Sequence, residues 1–325
     1  MNRELEYTYA VARVRANELT LLNASSIEQL ITAPDYVSAM HKLQDAGWGE
    51  IKDVYDYASY LENYFAQTWN FLEEVMSDIH ELDLLLVKND MQNLKAALKS
   101  IVSQHDAKDL YTKSTVYNTE DILKAVDERN FGDLPDFMVE PAREAYEVLT
   151  ETANGQLADA IIDKATLERI KYLGKKSGSP VLAELAERMC VTANIKTALR
   201  CANTGKSKDF VSRSLCECDS ISKDKLVETS LEGVDAVLNY LEDTGIYAEA
   251  GAKFKESTSI FEKWCDDILM ECVNEARYTA FGIDPIIAYY VARDAEVKSV
   301  RIILSAKMNN LPAELIRERV RALYV

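Results

Sequence analysis

Apolar residues recur every three or four positions along nearly the whole chain, which is the period of a helix and not the period of two that a half-buried strand needs. Between Tyr57 and Val87 the residues Leu61, Tyr64, Phe65, Trp69, Leu72, Val75, Met76 and Ile79 make one continuous stripe, so the pattern predicts a single long helix there. Further helices are predicted over 121–129, 141–152, 156–172, 181–202, 225–241, 254–278 and 280–308. Breakers separate them at Ala33-Pro34-Asp35, Gly47-Trp48-Gly49, Phe131 to Pro135, Gly174 to Pro180, Asn203-Thr204-Gly205, Thr244-Gly245 and Gly282 to Pro285. The fold class is therefore all-α with short connections.

An internal repeat is the most informative feature. The run Asp90-Met91-Gln92-Asn93-Leu94-Lys95-Ala96-Ala97-Leu98 returns 101 residues later as Val191-Thr192-Ala193-Asn194-Ile195-Lys196-Thr197-Ala198-Leu199. A further 105 residues on it returns as Glu296-Val297-Lys298-Ser299-Val300-Arg301-Ile302-Ile303-Leu304. The shared pattern is an acid, then Asn or Ser three residues later, then an apolar residue, a base and a closing Leu; Val191 lacks the acid. Each copy ends in a polar break, at Ser103-Gln104, Asn203-Thr204-Gly205 or Asn309-Asn310. A period of about 100 exceeds the roughly 20–50 residues of common solenoid repeats, so each copy is expected to be a small helical domain. Three similar domains imply pseudo-threefold symmetry.

Tyr9-Ala10-Val11-Ala12-Arg13 also matches Tyr289-Tyr290-Val291-Ala292-Arg293, so the first helix reads as a partial further copy. The expected division is a partial repeat over 1–50 that closes against the C-terminal repeat, then repeats over 51–135, 136–220 and 221–325. Two readings of the repeat stay open at this point. Leu94, Leu98 and Ile101 can face a core while Lys95 and Arg301 pair with acids of neighbouring helices, or the Asn, Lys and Arg positions can line a concavity and touch a partner.

Composition narrows the function. Gly and Pro together are 17 of 325 residues, too few turn formers for a many-stranded sheet. The net charge is −17, which leaves no overall positive field for a phosphate backbone, so nucleic acid is not an expected partner. No apolar run reaches the ~18 residues of a membrane span. The first eighteen residues are charged throughout and lack the apolar centre of a secretory signal, so the six Cys are expected as reduced thiols. They contain no C-x-x-C pair, and His41, His80 and His105 all precede them, which disfavours zinc. Cys265 and Cys272 share one helical face as small apolar residues; Cys216-Glu217-Cys218 is the odd feature.

Tests for catalytic chemistry find no constellation. Gly205-Lys206-Ser207 ends like a phosphate loop, but Arg200 stands where the first Gly is needed, and Arg169 does the same before Gly174-Lys175-Lys176-Ser177. A di-iron bundle needs Glu-x-x-His pairs, yet Ser38, Ser77 and Val102 precede the three His at that spacing. Asp266-Asp267-Ile268-Leu269-Met270-Glu271 approximates the DDxxD of isoprenoid synthases with Met270 in place of the third acid, and no second acid cluster accompanies it. Asp266, Asp267 and Glu271 are expected to form a solvated face. From Asp45 to Val87 ten acids face Lys52 alone, while from Tyr289 to Val325 seven bases face four acids. The acids Glu73, Glu74, Asp78, Glu81 and Asp83 can be a solvated face or a docking face for a basic partner.

The N-terminal run YTYAVARVRANE, the central KNDMQNLKAALKS and the C-terminal YYVARDAEVKSVRIILSAKMNNLPAELIRERVRALYV resemble the C subunits of V/A-type rotary ATPases, the bacterial and archaeal relatives of the eukaryotic d subunit. The resemblance spans essentially the whole chain. It implies a funnel-shaped, three-domain helical adaptor, one copy per complex, peripheral to the cytoplasmic face of the membrane. Such an adaptor couples the central-stalk axle, made of the D and F subunits, to the proteolipid rotor ring for ATP-linked proton or sodium transport. It implies no catalysis, no nucleotide and no cofactor. Matching the repeat positions nominates Arg13, Arg15, Asn93, Lys95, Asn194, Lys196, Arg293 and Arg301 as residues of the inter-domain core or socket. Val191 and Ser299 depart from the pattern. A free-standing helical scaffold and a metal-dependent helical lyase or prenyltransferase are the alternatives in other classes.

Overall fold

The structure, a computed structural model, describes residues 7–103 and 111–325; Gln104 and His105 lie outside them. The described residues contain α-helices and short 3-10 turns and no strand. Helices start where the sequence offers a side-chain acceptor for an orphan backbone N–H. Asp35, Asp56, Asn154, Ser179, Ser207 and Ser257 each accept such a bond from the residue three positions on.

The chain divides into two compact units, one built from residues 1–79 and 252–325, the other from 80–251. In the first, helices α1 (Thr8–Glu18), α2 (Ala24–Ile31), α3 (Tyr36–Asp45) and α4 (Tyr57–Val75) come from one chain end. From the other end come α14 (Thr258–Val273), α15 (Asp284–Met308) and α16 (Ala313–Arg319), and α15 packs against α1, α3, α4, α14 and α16. Its core joins Met40, Leu43, Trp48, Leu61 and Tyr64 to Val300, Ile303 and Leu304, all buried. The Trp48 and Tyr64 rings stack with centroids 3.9 Å apart.

The second unit holds α5 (Asp83–Ser103), α6 (Thr119–Asp127), α7 (Asp136–Thr152), α8 (Gly155–Ser177), α9 (Pro180–Thr204), α10 (Lys208–Ser214), α11 (Lys223–Glu232) and α12 (Val234–Glu242). Helix α13 (Glu249–Glu256) begins in the second unit's sequence range and ends in the first's. Helix α8 packs against α5, α7, α9 and α10. The close α8–α9 approach depends on Gly174, where an added Cβ would lie 2.5 Å from the Ala186 Cβ.

Several predicted boundaries move, each for a local reason. The stripe from Tyr57 to Val87 is not one helix: α4 ends at Val75, Met76 is extended, and a 3-10 turn at Ile79–Leu82 precedes α5. The apolar period survives the break because the turn also repeats every three residues. Lys225–Leu241 splits at Gly233, whose φ of 125° ends α11 and opens α12. Residues 254–278 split at Ser257, the cap of α14. Gly174, read as a breaker, lies inside α8, and the helix stops instead at Gly178 with φ 72°.

Candidate functional site

Each copy of the repeat falls inside a long helix, α5, α9 or α15, and its Asn or Ser performs the same task in all three. On α5 the buried Asn93 donates from Nδ2 to the Thr112 carbonyl at 3.1 Å and accepts the Thr112 N–H at 2.8 Å. On α9 the buried Asn194 donates to the Cys216 carbonyl at 2.8 Å and accepts the Cys216 N–H at 3.1 Å. On α15 the Ser299 hydroxyl accepts the Arg321 N–H at 3.2 Å. A side-chain amide carries one donor and one acceptor group side by side, so it can satisfy both backbone groups of a non-helical residue that has no strand beside it. A hydroxyl at Ser299 supplies one bond of the two.

Carboxylates complete the arrangement. Asp90, three residues before Asn93, accepts the Val116 and Tyr117 N–H groups, each at 3.1 Å. Burial pushes the Asp90 carboxyl up to about 6, against those two backbone donors, which pull it down. At the second copy Val191 cannot do this, and Glu187, one turn earlier on α9, accepts the Asp219 and Ser220 N–H groups at 2.7 and 2.8 Å. The sequence pattern flagged the missing acid but not its replacement, because the substitute sits four residues off register.

At the third copy Glu296 accepts the Leu22 N–H at 2.5 Å and the Arg293 guanidinium at 2.5 Å. Arg293 also donates to the Tyr64 hydroxyl at 2.8 Å and to the Thr20 hydroxyl. Burial works against the guanidinium charge, yet Glu296 facing it keeps its pKa above the ordinary value. Asp266 and Asp267 are not solvated as the sequence suggested. Asp266 accepts from Lys298 at 3.0 Å and Arg321 at 2.7 Å, and Asp267 accepts the Ala322 N–H at 2.7 Å, so both fasten the chain end to α14. Burial pushes the Asp266 carboxyl up, and its two cations more than offset that. Glu271 is exposed.

The remaining nominated residues have separate places. Arg13 lies over the Tyr9 and Phe71 rings and pairs with Glu74 at 3.2 Å, a contact that joins two of the nominated residues. Tyr9 and Arg13 repeat the i, i+4 contact of Tyr289 and Arg293, but on an exposed face. Arg15 pairs with Glu18 at 2.8 Å and donates to the Ala276 and Thr279 carbonyls. Lys95 pairs with Asp163 on α8 at 2.7 Å. Lys196 is half-buried, and Arg301 is exposed with no ion pair among the described residues, so the expected partner acid for Arg301 is not there. Of the five acids nominated as one docking face, Glu73, Glu74 and Asp78 belong to the first unit and Glu81 and Asp83 to the second. Glu73 accepts the Trp69 indole N–H at 2.9 Å.

No group of His, Cys, Asp and Glu among the described residues is arranged to hold a metal ion. No helix among them is long and apolar enough to cross a membrane. A cleft of roughly 380 Å³ in the first unit is lined by Trp48, Glu50, Lys52, Asp53, Asp56, Tyr60 and Tyr64. The fold and its polar interior thus define an all-α protein whose buried charged and amide groups are spent on holding backbone segments.

Comparison with known proteins gives this class its family. Residues 10–319 match the description "ATP synthase (C/AC39) subunit", and the chain belongs to that family of non-catalytic V/A-type rotary ATPase subunits. It is similar to the C subunit of the V-type sodium ATPase of Enterococcus hirae, with 25% identity over 98% of this chain and 99% of that one. It is also similar to the C subunit of the A-type ATP synthase of Methanocaldococcus jannaschii, with 23% identity over 96% of this chain and 85% of that one. A third relative is the C subunit of the V-type ATP synthase of Thermus thermophilus, 22% identical over 73% of each chain.

Proposed function

We propose that this chain is the central-stalk adaptor of its rotary ATPase, seated on the cytoplasmic side and joining the axle, made of the D and F subunits, to the membrane proteolipid rotor ring. The observation that carries the reading is the match along residues 10–319, together with relatives of nearly the same length that are named as C subunits. The division into three repeats of about 100 residues is part of the proposal, and the recurrence of the Asn or Ser clamp on α5, α9 and α15 supports it.

Torque transfer asks for a body that does not deform under load. Buried amide clamps, the bonds from Glu296 and Arg293 to Leu22 and Thr20, and the Asp266–Arg321 bridge each fix irregular backbone to a helix. Glu73, Glu74 and Asp78 are proposed as acids that meet a basic partner face. Reversing their charge should weaken that interface and flatten its salt dependence; unchanged binding across a salt series would remove them from it.

The test of the whole reading is purification of the tagged chain from gently solubilised native membranes, followed by mass spectrometry. Recovery of the axle proteins together with the proteolipid supports the adaptor role. Recovery of soluble proteins alone, while the rotary ATPase stays intact, would leave a free-standing scaffold.

A further inference from the structure

The cations of helix α8 divide into two sets. Lys164 pairs with Glu168 at 3.6 Å, and Lys171 and Lys175 each pair with Asp219 at 2.8 Å. Arg169 and Lys176 form no ion pair among the described residues, although the chain holds 54 acids against 37 bases. Both sit instead on one ring: the Arg169 guanidinium lies over Tyr172 at 5.2 Å from its centroid, and the Lys176 ammonium lies over the same ring at 5.8 Å. Spacings of three and four along a helix put Arg169, Tyr172 and Lys176 on one face.

Arg169 is held in place as well as left without an acid. Its guanidinium also lies over Phe137 in the first turn of α7, 4.4 Å from the ring centroid, and Phe137 in turn meets the Tyr117 ring at 5.8 Å. Its Nε is buried without a hydrogen-bond partner. A guanidinium that rests its faces on rings keeps its edge N–H groups for a planar acceptor, and a carboxylate matches that fork with two parallel bonds. Tyr172 is 52% exposed and Lys176 is exposed, so the ring and the second cation are open to solvent beside it. Arg and Tyr are among the residues that most often carry the binding energy at the centre of a protein interface.

We propose that Arg169, Tyr172 and Lys176, backed by Phe137, form a docking surface for an acidic segment of a partner protein. One Asp or Glu carboxylate of the partner accepts from the Arg169 edge, a second faces the Lys176 ammonium, and an apolar side chain between them lies on the Tyr172 ring. Charge complementarity selects this occupant. A body of net charge −17 repels an extended polyanion such as nucleic acid, whereas a short acidic segment meets two local cations that the chain's own acids have left free. The surface belongs to the second unit, apart from Glu73, Glu74 and Asp78 in the first, so the two units offer patches of opposite sign.

The experiment treats freshly broken cells holding the tagged full-length chain with a water-soluble carbodiimide, which joins a lysine amine to a carboxylate in direct contact with it. The products are mapped by mass spectrometry after denaturing purification. The Lys175–Asp219 contact supplies an internal product that reports an intact end of α8. The expected result is a second product that joins Lys176 to an Asp or Glu of another polypeptide. Arg169→Gln should lower it about tenfold relative to the Lys175–Asp219 product. Tyr172→Ala, which alters only an exposed ring, should lower it too and keeps the test readable if Arg169→Gln folds poorly. A linked acid in any partner protein supports the surface, and one in a rotary ATPase subunit supports the adaptor role as well, so the two readings can fail separately. The proposal is overturned if Lys176 links only to its own chain, or to nothing, while the Lys175 product forms, or if the link is unchanged in both variants. Sedimentation of the purified chain with phosphatidylglycerol vesicles, lost in Arg169→Gln, would give the two cations to a lipid surface and overturn it too.

Discussion

The side-chain amide of Asn194 closes on both backbone groups of Cys216, donating to its carbonyl at 2.8 Å and accepting its N–H at 3.1 Å. Asn93 does the same to Thr112, and Ser299 does half of it to Arg321. The clamped residues recur at spacings of 104 and 105, matching the period of the helix pattern. A polar residue in mid-helix, buried on a core-facing surface, is ordinarily unfavourable; here it replaces a missing strand neighbour.

Asn194→Ala leaves a buried donor and a buried acceptor without partners, each costing about 1–3 kcal/mol. We expect a lower urea midpoint for this variant and for Asn93→Ala. Ser299→Ala loses a single acceptor and should cost about 1–2 kcal/mol. Equal losses at all three positions would contradict the two-bond against one-bond difference.

Asp90 gives a pH signature. Burial raises its folded-state carboxyl to about 6, above the ordinary value near 3.8 that the unfolded chain would show. As pH rises through that window the unfolded chain releases its proton first, so stability falls from about pH 4 to about pH 6 and is flat above, by up to about 3 kcal/mol. Asp90→Asn keeps an acceptor oxygen for Val116 and Tyr117 and removes the titration. Urea midpoints at pH 4.5, 5.5 and 7 should show the variant gaining on the parent as pH rises; parallel curves would refute the assignment.

Glu296→Gln strands the buried Arg293 charge while leaving an oxygen for the Leu22 N–H. The expected loss is about 3–5 kcal/mol. Replacing both, as Arg293→Met with Glu296→Leu, should lose less than the sum of the single changes, because no charge is then left unpaired. Equilibrium denaturation of the parent, the single variants Arg293→Met and Glu296→Leu, and the double variant closes the cycle.

Gly174→Ala places a Cβ 2.5 Å from the Ala186 Cβ and 3.0 Å from the Leu182 carbonyl oxygen. Overpacking of this kind costs about 1–3 kcal/mol, more than the roughly 1 kcal/mol that Ala gains over Gly in a helix. Adding Ala186→Gly should restore part of the thermal midpoint, since it removes the nearest clashing atom.

How much of this was legible beforehand varies by residue. Lys95 was readable as a partner for an acid on a neighbouring helix, and Asp163 fills that role. Arg301 carries the same charge at the same repeat position, yet it is exposed, because nothing in a local pattern reports which helix lies opposite. Asp266 and Asp267 read as solvent-facing from their spacing, and only the return of the chain end to α14 turned them inward. The split of the Tyr57–Val87 stripe was hidden because a 3-10 turn preserves an apolar period of three.

By itself the sequence determined the all-α class, the three-copy helix pattern and the resemblance that leads to the family. Those follow from local periodicity and from residue identity, which are written along the chain. The tertiary structure alone decided that Asn93, Asn194 and Ser299 grip Thr112, Cys216 and Arg321, that Glu187 takes over from Val191, and that Arg293 lies buried against Glu296, Tyr64 and Thr20. Hydrogen bonds across 19 to 273 residues depend on where separate helices come to rest, and no local pattern carries that.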